Sequence, residues 1–68
     1  MTYGQHINQA RLNANMTLQQ LADKSYVSIN TLICWIYRGV HPDLELLILV
    51  ADALNVSLDE LVGRKRSE

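Results

Sequence analysis

The chain has 68 residues and a mass of 7.7 kDa, and 49% of its residues are apolar, which favours one small folded domain over a disordered segment. A chain this short buries only about 60% of its unfolded surface, so a deep catalytic pocket is not expected. The single cysteine, Cys34, excludes an internal disulfide framework. We find no signal-peptide pattern, and the longest apolar run, residues 46–51, is too short to span a bilayer. We therefore expect a cytoplasmic domain without membrane contact.

Charge is distributed unevenly along the chain, although the net charge is only −1. Residues 1–42 carry three cations and one anion, whereas residues 43–62 carry five carboxylates and no cation. Residues 63–68 again carry three cations against one carboxylate. The mildly basic front permits a nucleic-acid surface, but it is weaker than the strongly basic composition that would indicate one unaided.

The first half of the chain carries the signals of two helices. Apolar spacing predicts a first helix over residues 4–13. Asn15 follows it, and asparagine tolerates the left-handed conformation that ends helices. Thr17 and Gln20 then form a capping-box pattern, in which each side chain bonds to the other residue's backbone N–H. This box opens a second helix over residues 18–24.

A third helix is predicted over residues 29–38, with Ser28 as its cap and with Leu32 and Trp35 in the core. Asp43 is the predicted cap of a fourth helix. Its inner stripe is predicted to consist of Leu44, Leu47, Ile48, Ala51 and Leu54.

Ser57 and Glu60 form a second capping-box pattern that opens a short last helix, and Gly63 is its stop signal. Five helices with short connections predict a compact all-α domain over residues 1–62. Residues 63–68 are a short basic tail, which we interpret as solubilising charge.

The second and third helices are short and lie about three residues apart, which predicts a helix-turn-helix at about residues 17–38. In such a unit the second helix enters the DNA major groove while the first crosses the backbone. The pattern alone is weak, because many helical hairpins bind nothing.

A larger set of residues makes the pattern more specific. The set consists of Ile7, Arg11, Met16, Thr17, Leu21, Ala22, Val27, Ser28, Thr31, Leu32, Trp35, Pro42, Leu47, Ala51, Leu54 and residues 56–61. With these residues the chain resembles the phage repressor and Cro-type helix-turn-helix family, often called the XRE family, over residues 4–62. The resemblance implies a five-helix lambda-repressor-like domain. It also implies a two-fold dimer on a palindromic operator.

The resemblance also implies which side chains contact DNA. Base-reading positions fall on Ile29, Asn30, Ile33 and Cys34. Asparagine can bond to adenine through two hydrogen bonds and isoleucine can contact a thymine methyl, so we expect A/T-biased half-sites. The candidates for phosphate contacts are Arg11, Thr17, Tyr37, Arg38 and His41.

Several positions depart from the family pattern, among them a loop glycine that is shifted by one place, to Gly39. Tyr26 stands where many members have glycine, and a left-handed Tyr26 would carry strain of about 1 kcal/mol. Leu18 replaces a glutamine that touches phosphate. Ile36 replaces a glutamate that pairs with the arginine of the first helix. Arg11 must therefore bond to backbone carbonyls or water, or remain free to face a phosphate.

The chain holds more apolar residues than a small core needs. Leu46, Leu49 and Ala53 form a second stripe on the fourth helix, which we assign to a homodimer interface. A deeper monomer core under the last helix is the alternative.

We interpret the chain as a small prokaryotic or phage transcriptional regulator, repressor-like, that binds duplex DNA as a homodimer. Half-site centres would lie about 34–36 Å apart, and a regulatory protein partner is possible. The alternative is a protein-interaction module of the same fold that uses the apolar surface formed by Leu18, Ile29, Ile33 and Ile36. Because no nucleophile–base pair or metal-ligand spacing is present, we expect no enzymatic activity, metal or cofactor.

Overall fold

The computed structural model describes residues 2–62, which form five helices and no strand. These are α1 (Tyr3–Asn13), α2 (Leu18–Ser25), α3 (Ile29–Tyr37), α4 (Leu44–Leu54) and α5 (Leu58–Leu61). Helix α1 packs on α3 and α5, while α2 packs on α3 and α4. The predicted five-helix all-α fold is confirmed. The predicted basic tail, residues 63–68, lies outside the described residues.

Capping boxes start the first two helices. The Gln20 N–H donates to Thr17 Oγ1 at 3.0 Å, and the Thr17 N–H donates to Gln20 Oε1 at 2.8 Å, as predicted. Thr2 and Gln5 form the same pair of bonds at the start of α1, at 3.2 and 2.9 Å. This first box has the same Thr-x-x-Gln pattern, so the sequence holds the signal that places the start of α1 at Tyr3.

The predicted caps of the last two helices form only in part. Asp43 precedes α4, but its side chain makes no cap bond; its backbone carbonyl accepts from the Leu47 N–H at 2.8 Å instead. Ser57 Oγ accepts from the Glu60 N–H at 3.3 Å, while the reciprocal bond of a capping box is not formed. The carboxylates of Asp43 and Glu60 are both exposed, so solvent can take the place of the missing cap bonds.

The predicted inner stripe of α4 is partly wrong. Leu44 is 63% exposed and Ile48 is 41% exposed, whereas Val50 and Ala53 are buried. Apolar residues occupy every position of α4 except Glu45 and Asp52, so the apolar pattern alone does not select a face. These two carboxylates lie seven residues apart, on one side of the helix, and they mark the outward face.

Among residues 2–62 the core is formed by twelve buried apolar residues, drawn from every helix and from the turn before α3. Leu32 and Trp35 belong to it, as predicted. Its members are Ile7, Leu21, Ala22, Val27, Leu32, Trp35, Leu47, Val50, Ala51, Ala53, Leu54 and Leu61.

A close approach between backbones joins α1 to α3. Gly4 is buried in the first turn of α1, and a Cβ placed there would overlap the carbonyl oxygen of Trp35. It would also lie 2.8 Å from Cα of Ile36. Because these are backbone atoms, no side-chain rotation could relieve the overlap. Only glycine allows α1 to approach the end of α3 this closely.

In the part of the chain that the structure describes, three residues other than glycine adopt left-handed backbone conformations, one after each of α1, α2 and α4. They are Asn15, Tyr26 and Asn55, with φ between 57° and 62°. The expectation for Asn15 is confirmed, and so is the left-handed conformation of Tyr26. In this region the Cβ crowds the following carbonyl; the short polar side chain of asparagine can compensate through a local hydrogen bond, whereas the ring of tyrosine cannot.

The Gly4→Ala variant should lower the free energy of unfolding by roughly 3 kcal/mol, because the added methyl group forces α1 away from α3. Urea unfolding followed by circular dichroism measures this. Gly39→Ala is the matched control, because Gly39 has φ +69° and open space around it. That variant should cost only about 1 kcal/mol of strain. A smaller loss for Gly4→Ala than for Gly39→Ala would contradict the packing described.

The Tyr26→Gly variant should raise the free energy of unfolding by about 1 kcal/mol, because it relieves the left-handed strain. Little packing is lost, since the Tyr26 side chain is 89% exposed. Asn55→Gly is the control, and a change of only a few tenths of a kcal/mol is expected there. A loss of stability in Tyr26→Gly alone would show that the tyrosine ring contributes to the fold.

Candidate nucleic-acid interface

The turn between α2 and α3 is fixed by short-range hydrogen bonds. Ser25 is buried, and its Oγ accepts from the Val27 N–H at 3.3 Å. Ser28 Oγ accepts from the Asn30 N–H at 3.2 Å and so caps α3. Val27 itself is buried in the core. The turn is therefore anchored from both sides, which sets the direction of α3 as it leaves the turn.

Helix α3 presents one face to the core and another to solvent. Leu32 and Trp35 fill the core face. The outward face holds Asn30, Ile33, Cys34 and Tyr37, whose spacing of three, four and seven residues places them in one row. Three of the four predicted base-reading residues belong to this outward row.

The outward row is open to a ligand. The Asn30 side chain is exposed, and its amide makes no hydrogen bond among the described residues. Ile33 and Cys34 are half-buried, and Tyr37 is 66% exposed. An amide beside apolar atoms on an exposed helix is the combination that reads an A·T pair, through adenine N6 and N7 and the thymine methyl.

The fourth predicted base reader, Ile29, lies at the edge of the outward row. It is half-buried and packs against the core. Leu18 and Ile36 pack against the core in the same way. Three of the four residues assigned to an apolar protein-binding surface thus pack partly against the core, and Ile33 is the one that does not.

Thr17, a predicted phosphate contact, lies at the exposed start of α2. Its capping box uses the Gln20 N–H, and the Leu21 N–H bonds to the Thr17 carbonyl. The N–H groups of Leu18 and Gln19 have no partner among the described residues. Unpaired N–H groups and the positive end of the helix dipole make this a suitable place for a phosphate oxygen.

Arg11, another predicted phosphate contact, forms hydrogen bonds within the domain. Its Nη1 donates to the Met16 carbonyl at 2.6 Å, while Nε and Nη2 donate to Asn8 Oδ1 at 3.2 and 2.7 Å. Ile36 stands where the family has a glutamate that would pair with this arginine. Arg11 bonds to a backbone carbonyl in its place, which is one of the alternatives expected from the sequence. The guanidinium thereby ties the end of α1 to the segment that leads into α2.

The remaining phosphate candidates follow each other at the end of α3 and in the loop behind it. Tyr37, Arg38 and His41 are all exposed. The loop turns back on α3, because the N–H groups of Arg38 and Val40 both donate to the Cys34 carbonyl, at 3.1 and 3.2 Å. Gly39 makes this possible with φ +69°.

The predicted dimer stripe on α4 is not a continuous surface. Ala53 is only 5% exposed and belongs to the core, so its assignment to an interface is wrong. Leu49 is 39% exposed, and Leu46 is half-buried against the core. The deeper monomer core, the alternative considered for this stripe, accounts for Ala53.

Within residues 2–62, no three His, Cys, Asp or Glu side chains are grouped so that they could hold a metal ion. In the same range no helix has the length and apolarity to cross a membrane.

Comparison with known proteins agrees with this geometry. The family model described as Helix-turn-helix matches residues 7–61. The chain is 31% identical over 63 residues to the HTH-type transcriptional activator BcrR of Enterococcus faecalis. The matched region covers 93% of this chain but only 31% of that protein. No solved structure matches the chain significantly. Since the family model covers most of its length, the chain belongs to the helix-turn-helix family.

Proposed function

We propose that this domain regulates transcription by binding duplex DNA in a sequence-specific manner, with α3 in the major groove. The free amide of Asn30 carries the proposal. It stands on the outward face of α3, one residue inside the helix, and nothing in the described part of the chain occupies it. In a helix-turn-helix, residues near the start of the second helix contact base edges.

The proposed base readers are Asn30, Ile33 and Cys34, with Ile29 beside them at the edge. Asn30 would bond to an adenine, and Ile33 would contact the methyl of a thymine. Before Arg38 the helix carries no charged side chain, so base contacts alone give modest affinity. Phosphate contacts at the start of α2 and along residues 37–41 would position the domain on the duplex.

Two copies would bind together, one to each half of a palindromic operator. Support comes from the apolar side chains left exposed on α4 and α5, which are Leu44, Ile48, Leu49 and Leu58. Exposed apolar groups of this number on a small domain are typical of an interface. A dimer would also double the number of base contacts, which compensates for the few donors on each α3.

The protein-interaction alternative has less support. An apolar α3 surface would require Leu18, Ile29 and Ile36 to be available, and all three pack against the core. The exposed polar Asn30 also lies one turn before Ile33 on the same face of α3. DNA binding and apolar protein binding differ in their response to salt, because only DNA releases condensed counterions.

The Asn30→Ala variant should weaken binding to the preferred duplex about ten- to hundredfold, since one good amide–adenine pair discriminates by about 1–3 kcal/mol. Binding to unrelated duplex should stay the same, because phosphate contacts are untouched. Fluorescence anisotropy on both duplexes at several salt concentrations measures these affinities.

Gln9→Ala is the matched control, because it removes an exposed amide whose bond is to Asn13 on the same helix, outside the helix-turn-helix. It should bind both duplexes like the wild type. If Asn30→Ala left affinity and sequence preference unchanged, base reading by α3 would be refuted.

A further inference from the structure

The first turn of α1 and the loop after α3 face each other across an open cleft of about 350 Å³. One wall is fixed by the approach of Gly4 to the Trp35 carbonyl. The other is fixed by Gly39 and by the bond from the Val40 N–H to the Cys34 carbonyl. Two segments far apart in sequence are therefore held at a defined separation, beside the end of the proposed recognition helix.

A ring contact bridges this cleft. The Tyr3 and His41 ring centroids lie 5.7 Å apart with an interplanar angle of 67°, an edge-to-face arrangement. This geometry is favourable, because the positive edge of one ring meets the negative face of the other. The His41 side chain is exposed and makes no hydrogen bond among the described residues. The Tyr3 ring is thus the contact that restrains the imidazole.

We propose that Tyr3 is a positioning residue for DNA-backbone binding, whose ring holds the imidazole of His41 ready for a phosphate oxygen. The inference rests on the proposed function and extends the interface to α1, outside the helix-turn-helix. An imidazole N–H can donate to phosphate in either protonation state. A side chain that is already restrained loses less freedom when it binds, so its contact contributes more to affinity.

The contact between Tyr3 and His41 depends on the close fit of Gly4 against α3. The same backbone approach that packs α1 on α3 brings the neighbouring Tyr3 within reach of the loop. Tyr37, Arg38 and His41 then form one exposed stretch, which is suited to follow a DNA strand. Contacts of this kind set register and affinity but do not read sequence.

The test compares Tyr3→Ala with Tyr3→Phe, because phenylalanine keeps the ring and loses only the hydroxyl. Anisotropy titrations use the wild-type chain's selected duplex and an unrelated duplex at the same salt. Tyr3→Ala should weaken both affinities about two- to tenfold and by the same factor, which is the cost of ordering one side chain that is no longer restrained before binding. Tyr3→Phe should bind as the wild type does.

His41→Ala and the double variant complete a thermodynamic cycle. If Tyr3 acts through His41, Tyr3→Ala should add nothing once His41 is removed. Leu12→Ala is the control, because Leu12 is an exposed side chain at the other end of α1, and binding should be unchanged. Circular dichroism of each variant confirms that the fold is intact at the assay temperature.

Three results would overturn the inference while leaving the proposed function standing. They are unchanged affinity in Tyr3→Ala, a loss in Tyr3→Phe equal to that in Tyr3→Ala, and additive losses in the double variant. If the wild type bound no duplex, the proposed function would fail, and this inference with it. The chemical shifts of the His41 ring protons, measured by NMR without DNA, would test the Tyr3–His41 contact independently of DNA binding. They should move in Tyr3→Ala and stay in Tyr3→Phe.

Discussion

The approach of Gly4 to the end of α3 is the constraint on which the arrangement of this domain depends. No side chain separates the two backbones there, so α1 lies directly on the carbonyl of Trp35. Trp35 fills the core from the inner face of the same helix. The position of α3 is thus set by α1 at one end, and by Ser25, Val27 and the Ser28 cap at the other. Because α3 is held from both ends and from its inner face, its outer face is free to carry residues that the fold does not need.

This separation of roles supports the functional proposal. The inner residues of α3 are apolar and buried, whereas the outer row begins with an amide that has no partner in the described part of the chain. Exposed polar side chains are common on any protein surface. This amide differs because it lies near the start of the second helix of a helix-turn-helix, where base edges are contacted. Phosphate candidates lie at the exposed start of α2 and along residues 37–41, directly after this row. Within residues 2–62 every acidic residue except Asp23 of α2 lies at the start of α4 or on α4 and α5, outside the helix-turn-helix.

Much of the fold could be predicted because its signals are local. The Thr17 capping box, the left-handed Asn15 and the core positions Leu32 and Trp35 each follow from a few neighbouring residues. The outward face of α4 could not be read from apolar spacing, because nearly every position is apolar, and the buried Ala53 was therefore assigned to an interface. Gly4 shows a different limit. Its importance arises from the backbone of Trp35, thirty-one positions later in the chain, and no local pattern records that approach. For the site, the family resemblance pointed to the outward residues of α3, but it could not show that Ile29 packs against the core or that Tyr3 contacts His41.

The central claim is that α3 reads DNA sequence, and selection of binding sites from a randomised duplex library tests it most directly. The selection should be repeated at low and moderate salt with the intact chain. The account predicts enrichment of a palindrome whose A/T-biased halves lie about one helical turn apart, with affinity that falls steeply as salt rises. Failure to enrich any sequence, with only weak retention at low salt, would contradict it and would direct attention to a protein partner.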